Sequence, residues 1–132
     1  MQNRPTAAEL LETVRELISS ELMPLAQDDG LRFRLLIASN LLAIVGREIN
    51  AGGVLTHDEL ARLRELLPDL PLDPKWTERE TILKFNEALA RQIRDAAPDS
   101  STVAVHSPLW EHAKRTLRDQ LTVSNPKFDL DY

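Results

Sequence analysis

Asn40, Arg47 and Glu48 are the residues whose types and spacing most invite a chemical reading. In a helix, Asn40 and Arg47 stand two turns apart and nearly share a face, which also carries Phe33, Leu36 and Ile44. A carboxamide and a guanidinium on an apolar stripe demand partners. Either Asn40 bonds to a neighbouring helix and Arg47 and Glu48 join an ion-pair network, or these groups meet a partner protein or an anionic ligand where the helices part. Most buried polar groups are simply satisfied within the fold, which favours the first alternative.

Other chemistries lack their parts. With no cysteine there is no disulfide, thiolate metal site or cysteine nucleophile. His57, His106 and His112 show no His-x-x-x-His or His–Glu pairing at helical spacing, so no metal site is expected. Ser19, Ser20, Ser39, Ser100 and Ser101 lie outside any nucleophile elbow, and Gly30, Gly46, Gly52 and Gly53 form no phosphate-cradling loop. No cofactor is implied, and stand-alone catalysis is not expected. The formal charge is −5. Residues 1–30 carry two basic against six acidic side chains, and residues 100–132 balance four against four. Without a dense basic patch, nucleic acid is a poor partner. No run is long and apolar enough for a membrane span, and Met1-Gln2-Asn3-Arg4-Pro5-Thr6 has no apolar signal region, so a cytoplasmic location is expected.

Five helices would position these residues. Thr6 and Glu9 form a capping box ahead of Leu10, Leu11, Val14, Leu17, Ile18 and Leu22, and Pro24 with Asp28-Asp29-Gly30 closes this first helix. The second, about Leu31 to Asn50, has one stripe of Phe33, Leu36, Ile37, Leu41 and Ile44 and a second apolar side of Leu35, Leu42 and Ile49. Such a helix belongs in the middle of a bundle. Ala51-Gly52-Gly53 stops it. Thr56 and Glu59 suggest another capping box before Leu60, Leu63, Leu66 and Leu67. Pro68, Pro71 and Pro74 punctuate a connection over residues 68–76. Thr77 and Glu80 open a fourth helix with Ile82, Phe85, Leu89 and Ile93 on one face. Val103-Ala104-Val105 reads as coil. Ser107-Pro108 starts a fifth helix that presents Leu109, Trp110, Ala113, Leu117 and Leu121.

The expected architecture is therefore all-α: a five-helix bundle, mostly antiparallel, with helix 2 (about 31–50) central, forming a single domain over 1–132. Trp76 reads as a hydrophobic staple and Trp110 as core, with an interface anchor the alternative for each. Lys114, Arg115 and Arg118 read as a solvated basic face. Residues 124–132, with Asn125, Pro126 and Phe128, are expected to form a strap over the bundle or a peptide offered to a partner.

Several stretches resemble a bacterial family of small helical proteins of unknown function. They are Arg4-Pro5-Thr6-Ala7-Ala8-Glu9-Leu10-Leu11, Ile37-Ala38-Ser39-Asn40 with Ile44-Val45-Gly46-Arg47-Glu48, and Leu121 through Phe128 with its Val123-Ser124-Asn125-Pro126 core. Members are typically encoded beside an aminoglycoside-phosphotransferase-like kinase and an acyl-CoA dehydrogenase. The family is similar to the accessory subunit of a 4-hydroxyacyl-CoA kinase of levulinate-type catabolism. The resemblance implies a non-catalytic accessory or activating subunit of a kinase-fold enzyme acting on hydroxyacyl-CoA or related substrates, with contacts at Asn40, Arg47, Glu48, Asn125, Pro126 and Phe128. The alternative is a bundle that binds a small ligand or acyl group in a pocket near Asn40. Self-association through an apolar helical face is compatible with either.

Overall fold

The structure is a computed structural model that describes residues 4–97 and 101–128. It is all-α. Among the described residues there are five helices: α1 (Ala7–Leu17, prolonged through Ile18–Leu22 and Met23–Leu25), α2 (Asp29–Ala51), α3 (Val54–Leu66), α4 (Glu78–Asp95) and α5 (Pro108–Ser124), with a 3-10 turn at Ser101–Val103. No single helix is long and apolar enough to cross a membrane. The chain divides into two compact units, Met1–Gly52 with Val123–Lys127, and Gly53–Thr122 with Phe128–Tyr132.

The first unit is a hairpin of α1 and α2. Its capping box forms as the sequence predicts: the Glu9 amide donates to Thr6 Oγ1 at 3.2 Å, and the Thr6 amide donates to Glu9 Oε2 at 2.6 Å. Pro24 does not end α1, as the sequence suggested. Instead the helix widens into a π turn over Ile18–Leu22, where the Met23 amide reaches the Ile18 carbonyl five residues back. Proline cannot donate to the carbonyl four residues earlier and its ring crowds that carbonyl, so a widened turn lets the chain pass Pro24 and continue to Leu25. Asp28 then caps α2 by accepting from the Leu31 amide at 2.6 Å, so α2 begins before Leu31. Thr6, Glu9 and Glu12 line one groove with Gly46, Arg47 and Asn50, so the start of α1 lies beside the end of α2 and the pair is antiparallel.

The seam between these helices is made of small groups. Ser19 Oγ donates to the Arg15 carbonyl at 2.9 Å, which leaves Ser39 to donate to Ser19 Oγ across 3.1 Å. Among the described residues of this unit, Ala26 and Ser39 are the buried ones. The stripe that sequence periodicity marks as the interior of helix 2 faces outward: Phe33, Leu36, Ile37 and Leu41 are exposed, while Leu35 and Leu42 turn partly inward with Ser39. Helix 2 thus packs on α1 rather than at the centre of a core. Its two apolar sides compete for one neighbour, and the side with Ser39, Ala43 and Gly46 allows the closer approach.

At α2's end Gly52 takes φ 58° and ψ −146°, a backbone conformation open only to glycine, and its amide bonds to the Ile49 carbonyl at 3.1 Å.

The second unit holds the buried cluster of Leu63, Leu67, Phe85 and Leu89, with Leu66, Leu70, Ile82, Ala88 and Leu109 packed against it. α3 begins at Val54, three residues earlier than its Thr56 box would place it, so Thr56 lies inside the helix and that box does not form. Glu59 instead accepts from Asn86 Nδ2 at 3.2 Å. The Thr77–Glu80 box does form, with the Glu80 amide donating to Thr77 Oγ1 at 3.2 Å.

The prolines at 68, 71 and 74 keep the connection non-helical and carry the chain back, so that Glu78 at the start of α4 meets His57 at the start of α3, 3.5 Å away. An antiparallel hairpin would put those residues at opposite ends. α5 starts where expected, with the Trp110 amide donating to Ser107 Oγ at 3.2 Å. Its buried face is only in part the apolar stripe: Leu109 turns inward together with His112, Thr116 and Asp119, while Trp110, Ala113 and Leu117 are exposed.

Candidate functional site

Arg47 is the sequence-predicted site residue that the structure commits most firmly. Its Nε donates to the Val123 carbonyl at 2.6 Å, 76 positions along the chain, and the contact is half-buried. A guanidinium on the last carbonyls of a helix satisfies acceptors that have no intrahelical donor and complements the negative end of the helix dipole. Arg47 therefore ties Val123, at the end of α5, to the α1–α2 hairpin through a backbone carbonyl rather than through the ion-pair network that the sequence favours. It also lines the groove between α1 and α2, about 700 Å³, together with Glu9, Glu12 and Arg15. Arg15 and Glu12 are bonded to each other one turn apart, and this pairing draws the Glu12 carboxylate below the usual range.

Asn40 is exposed, because the face it shares with Phe33 and Leu36 is the outward one, and it lines none of the three clefts described here. Glu48, Asn125, Pro126 and Phe128 are also exposed. Of the 124–132 strap, residues 129–132 lie outside the described residues. The structure therefore brings Arg47 to the C-terminal segment and leaves Asn40 on an apolar surface.

That surface is the extended feature of the first unit. On α2, Phe33 is 62% exposed and Leu41 56%, with Ile37 between them one turn from each. On α1, Leu10, Val14 and Leu17 recur at helical spacing and are likewise exposed. Each helix thus exposes apolar side chains at helical spacing along one face.

Sequence reasoning missed a second feature, in the other unit. Arg62 of α3 bonds to Asp119 Oδ2 of α5 at 3.1 Å, and the same carboxylate accepts from Arg115 Nε at 3.2 Å. Beside them His112 is buried, 5% exposed. Burial holds its pKa below the ordinary imidazole value, the positive Arg62 adds to this, and Glu59 opposes it. A cleft of about 440 Å³ runs past these groups. The signal was present in the sequence as Lys114, Arg115 and Arg118, but the opposing wall comes from α3, some fifty positions away. Trp76 is half-buried beside a third cleft, about 600 Å³, near His57, Arg64 and Thr81. Among the described residues no group of three histidine or carboxylate side chains converges as a metal site requires.

The family described as Domain of unknown function (DUF6285) matches residues 25–128. The chain belongs to this family. The match takes in α2 through α5 and Phe128, and α1 lies ahead of it. No curated protein and no solved structure matches the chain.

Proposed function

We propose that this DUF6285 chain is a non-catalytic accessory subunit whose α1–α2 hairpin docks on a kinase-fold enzyme that handles hydroxyacyl-CoA or related substrates. The observation that carries the docking role is the outward apolar stripe Phe33–Ile37–Leu41 on a helix whose buried residue is a serine. Burying the exposed half of one such side chain contributes on the order of 1 kcal/mol, so a partner covering several of them gains a stable contact. Asn40 and Glu48 would lie within or beside that contact and supply its polar register. The kinase-fold identity of the partner rests on the resemblance of the chain to families encoded beside such kinases.

Co-expression with a kinase-fold protein of the kind encoded beside the family it resembles, followed by gel filtration, tests the reading. One shared peak is expected, with Phe33→Asp/Leu41→Asp separating it into two while each chain stays folded. Two peaks with the unaltered chain and unchanged kinase activity would overturn it. The ligand-binding alternative loses support from the position of Asn40, which faces outward from its helix and lines no cleft described here.

A further inference from the structure

We infer that the cleft between α3 and α5 binds the phosphate group of a small molecule. The lining cations come from both walls: Arg62 from α3, and Lys114, Arg115 and Arg118 from α5. Facing them are Glu65 and Glu111 of the lining and Asp119 behind it, four cations against three carboxylates in a chain of net charge −5.

The acids are also engaged. Asp119 is shared between Arg62 and Arg115, and Glu111 meets His106 Nδ1 at 3.2 Å. Lys114 and Arg118 are exposed and have no ion pair among the described residues, so two unpaired cations stand beside two guanidiniums held by a common carboxylate. Fixed and adaptable donors together suit a tetrahedral oxyanion, which accepts several charge-assisted hydrogen bonds at once.

Two buried atoms of the lining residues add to the charge argument. Among the described residues Arg62 Nε and His112 Nδ1 have no hydrogen-bond partner, and His112 is more than nine-tenths buried. Buried polar atoms are paired in roughly nine cases of ten or more, so two orphans in residues that line one cleft leave unused hydrogen-bonding capacity in its walls. A guanidinium Nε can only donate, and a neutral imidazole nitrogen donates in the appropriate tautomer. The cleft volume of about 440 Å³ exceeds the needs of a bare phosphate, and Leu66 and Pro108 offer an apolar wall to whatever organic group the phosphate carries. This assignment does not rest on the docking role: the cleft belongs to the second unit, and its test contains no partner protein.

Isothermal titration calorimetry of the full chain with pyrophosphate and with ADP, at low salt, tests it. Saturable one-to-one binding is expected, weakened about tenfold or more in Lys114→Gln/Arg118→Gln, both exposed positions, and unchanged in Lys84→Gln on α4. The His112 imidazole nitrogen resonances are expected to shift during the titration. Binding of pyrophosphate but not ADP would assign the cleft to free inorganic anions; binding of both assigns it to a phosphorylated organic ligand. Absence of saturable heat, equal affinity in the double variant, or equal affinity for succinate would overturn the phosphate assignment.

Discussion

His112 ties pH to stability through a simple imbalance of protons. The unfolded imidazole takes up a proton near its ordinary pKa of about 6.5, whereas the buried one, beside Arg62, resists until the solution is more acidic. Below the ordinary value the unfolded chain holds more protons than the folded one, so stability declines as pH falls through that window. The thermal midpoint should therefore be lower at pH 5.5 than at pH 7.5, with the difference reduced in His112→Gln; an unchanged difference in that variant would remove His112 as the cause. Asp119 makes the complementary point. It is 15% exposed and holds two guanidiniums, so Asp119→Ala leaves both without their carboxylate and should cost about 1.5–3 kcal/mol by urea denaturation. Arg47→Ala removes the bond to the Val123 carbonyl, and hydrogen exchange should quicken across 123–127 while α3 and α4 keep their protection. Arg47 was legible in the sequence because a guanidinium on an apolar stripe must be satisfied somewhere. Its partner was not, since a backbone carbonyl 76 residues away leaves no mark in composition or spacing.

At the scale of elements, the sequence speaks clearly wherever cause and effect lie within one turn. Thr6 with Glu9, Thr77 with Glu80, and Ser107 before Pro108 each cap the helix they precede, because donor and acceptor are three residues apart. Thr77→Ala should lower stability by about 1 kcal/mol, read from the denaturation midpoint, through loss of the cap. The Glu80 carboxylate is held below its usual range first by the Thr77 backbone amide and then by the Thr77 hydroxyl, and the same variant should remove only the hydroxyl's smaller share. Thr56 and Glu59 show the limit of such reasoning. The same spacing produces no box there, because the helix begins at Val54 and Asn86 of α4 engages Glu59. The buried side of a helix is harder still to read, since it depends on what arrives from elsewhere. α5 turns Leu109, His112, Thr116 and Asp119 inward because Arg62 awaits them, and Trp110, Ala113 and Leu117 of its apolar stripe stay outside. For α4 the answer was simpler: Phe85 and Leu89 lie on its one apolar face and are buried.

For the whole molecule, burial is distributed unevenly. The second unit has a buried cluster with Phe85 at 1% exposure, and Phe85→Ala should cost about 3–5 kcal/mol, measured by denaturation. Among the described residues the first unit has no comparable cluster, and its α2 presents Phe33, Ile37 and Leu41 to the outside. Polar substitution there should leave the denaturation midpoint of the isolated chain within about 0.5 kcal/mol, the usual range for surface changes. That contrast separates an exposed apolar face from a core. The all-α class was readable from helical period and caps. Which apolar faces would remain uncovered was not, because two apolar sides on one helix look alike until the neighbour's side chains decide between them.

The π turn at Ile18–Leu22 carries one more consequence, for descent rather than for energy. A π turn holds one residue more than an α turn, and a single inserted residue is the smallest change that creates one inside an existing helix. Chains of the family with an unbroken α-helix here should be one residue shorter between Arg15 and Pro24. In them, any counterpart of Ser39 would meet a different position of the first helix, so the serine pair should come and go together with that extra residue.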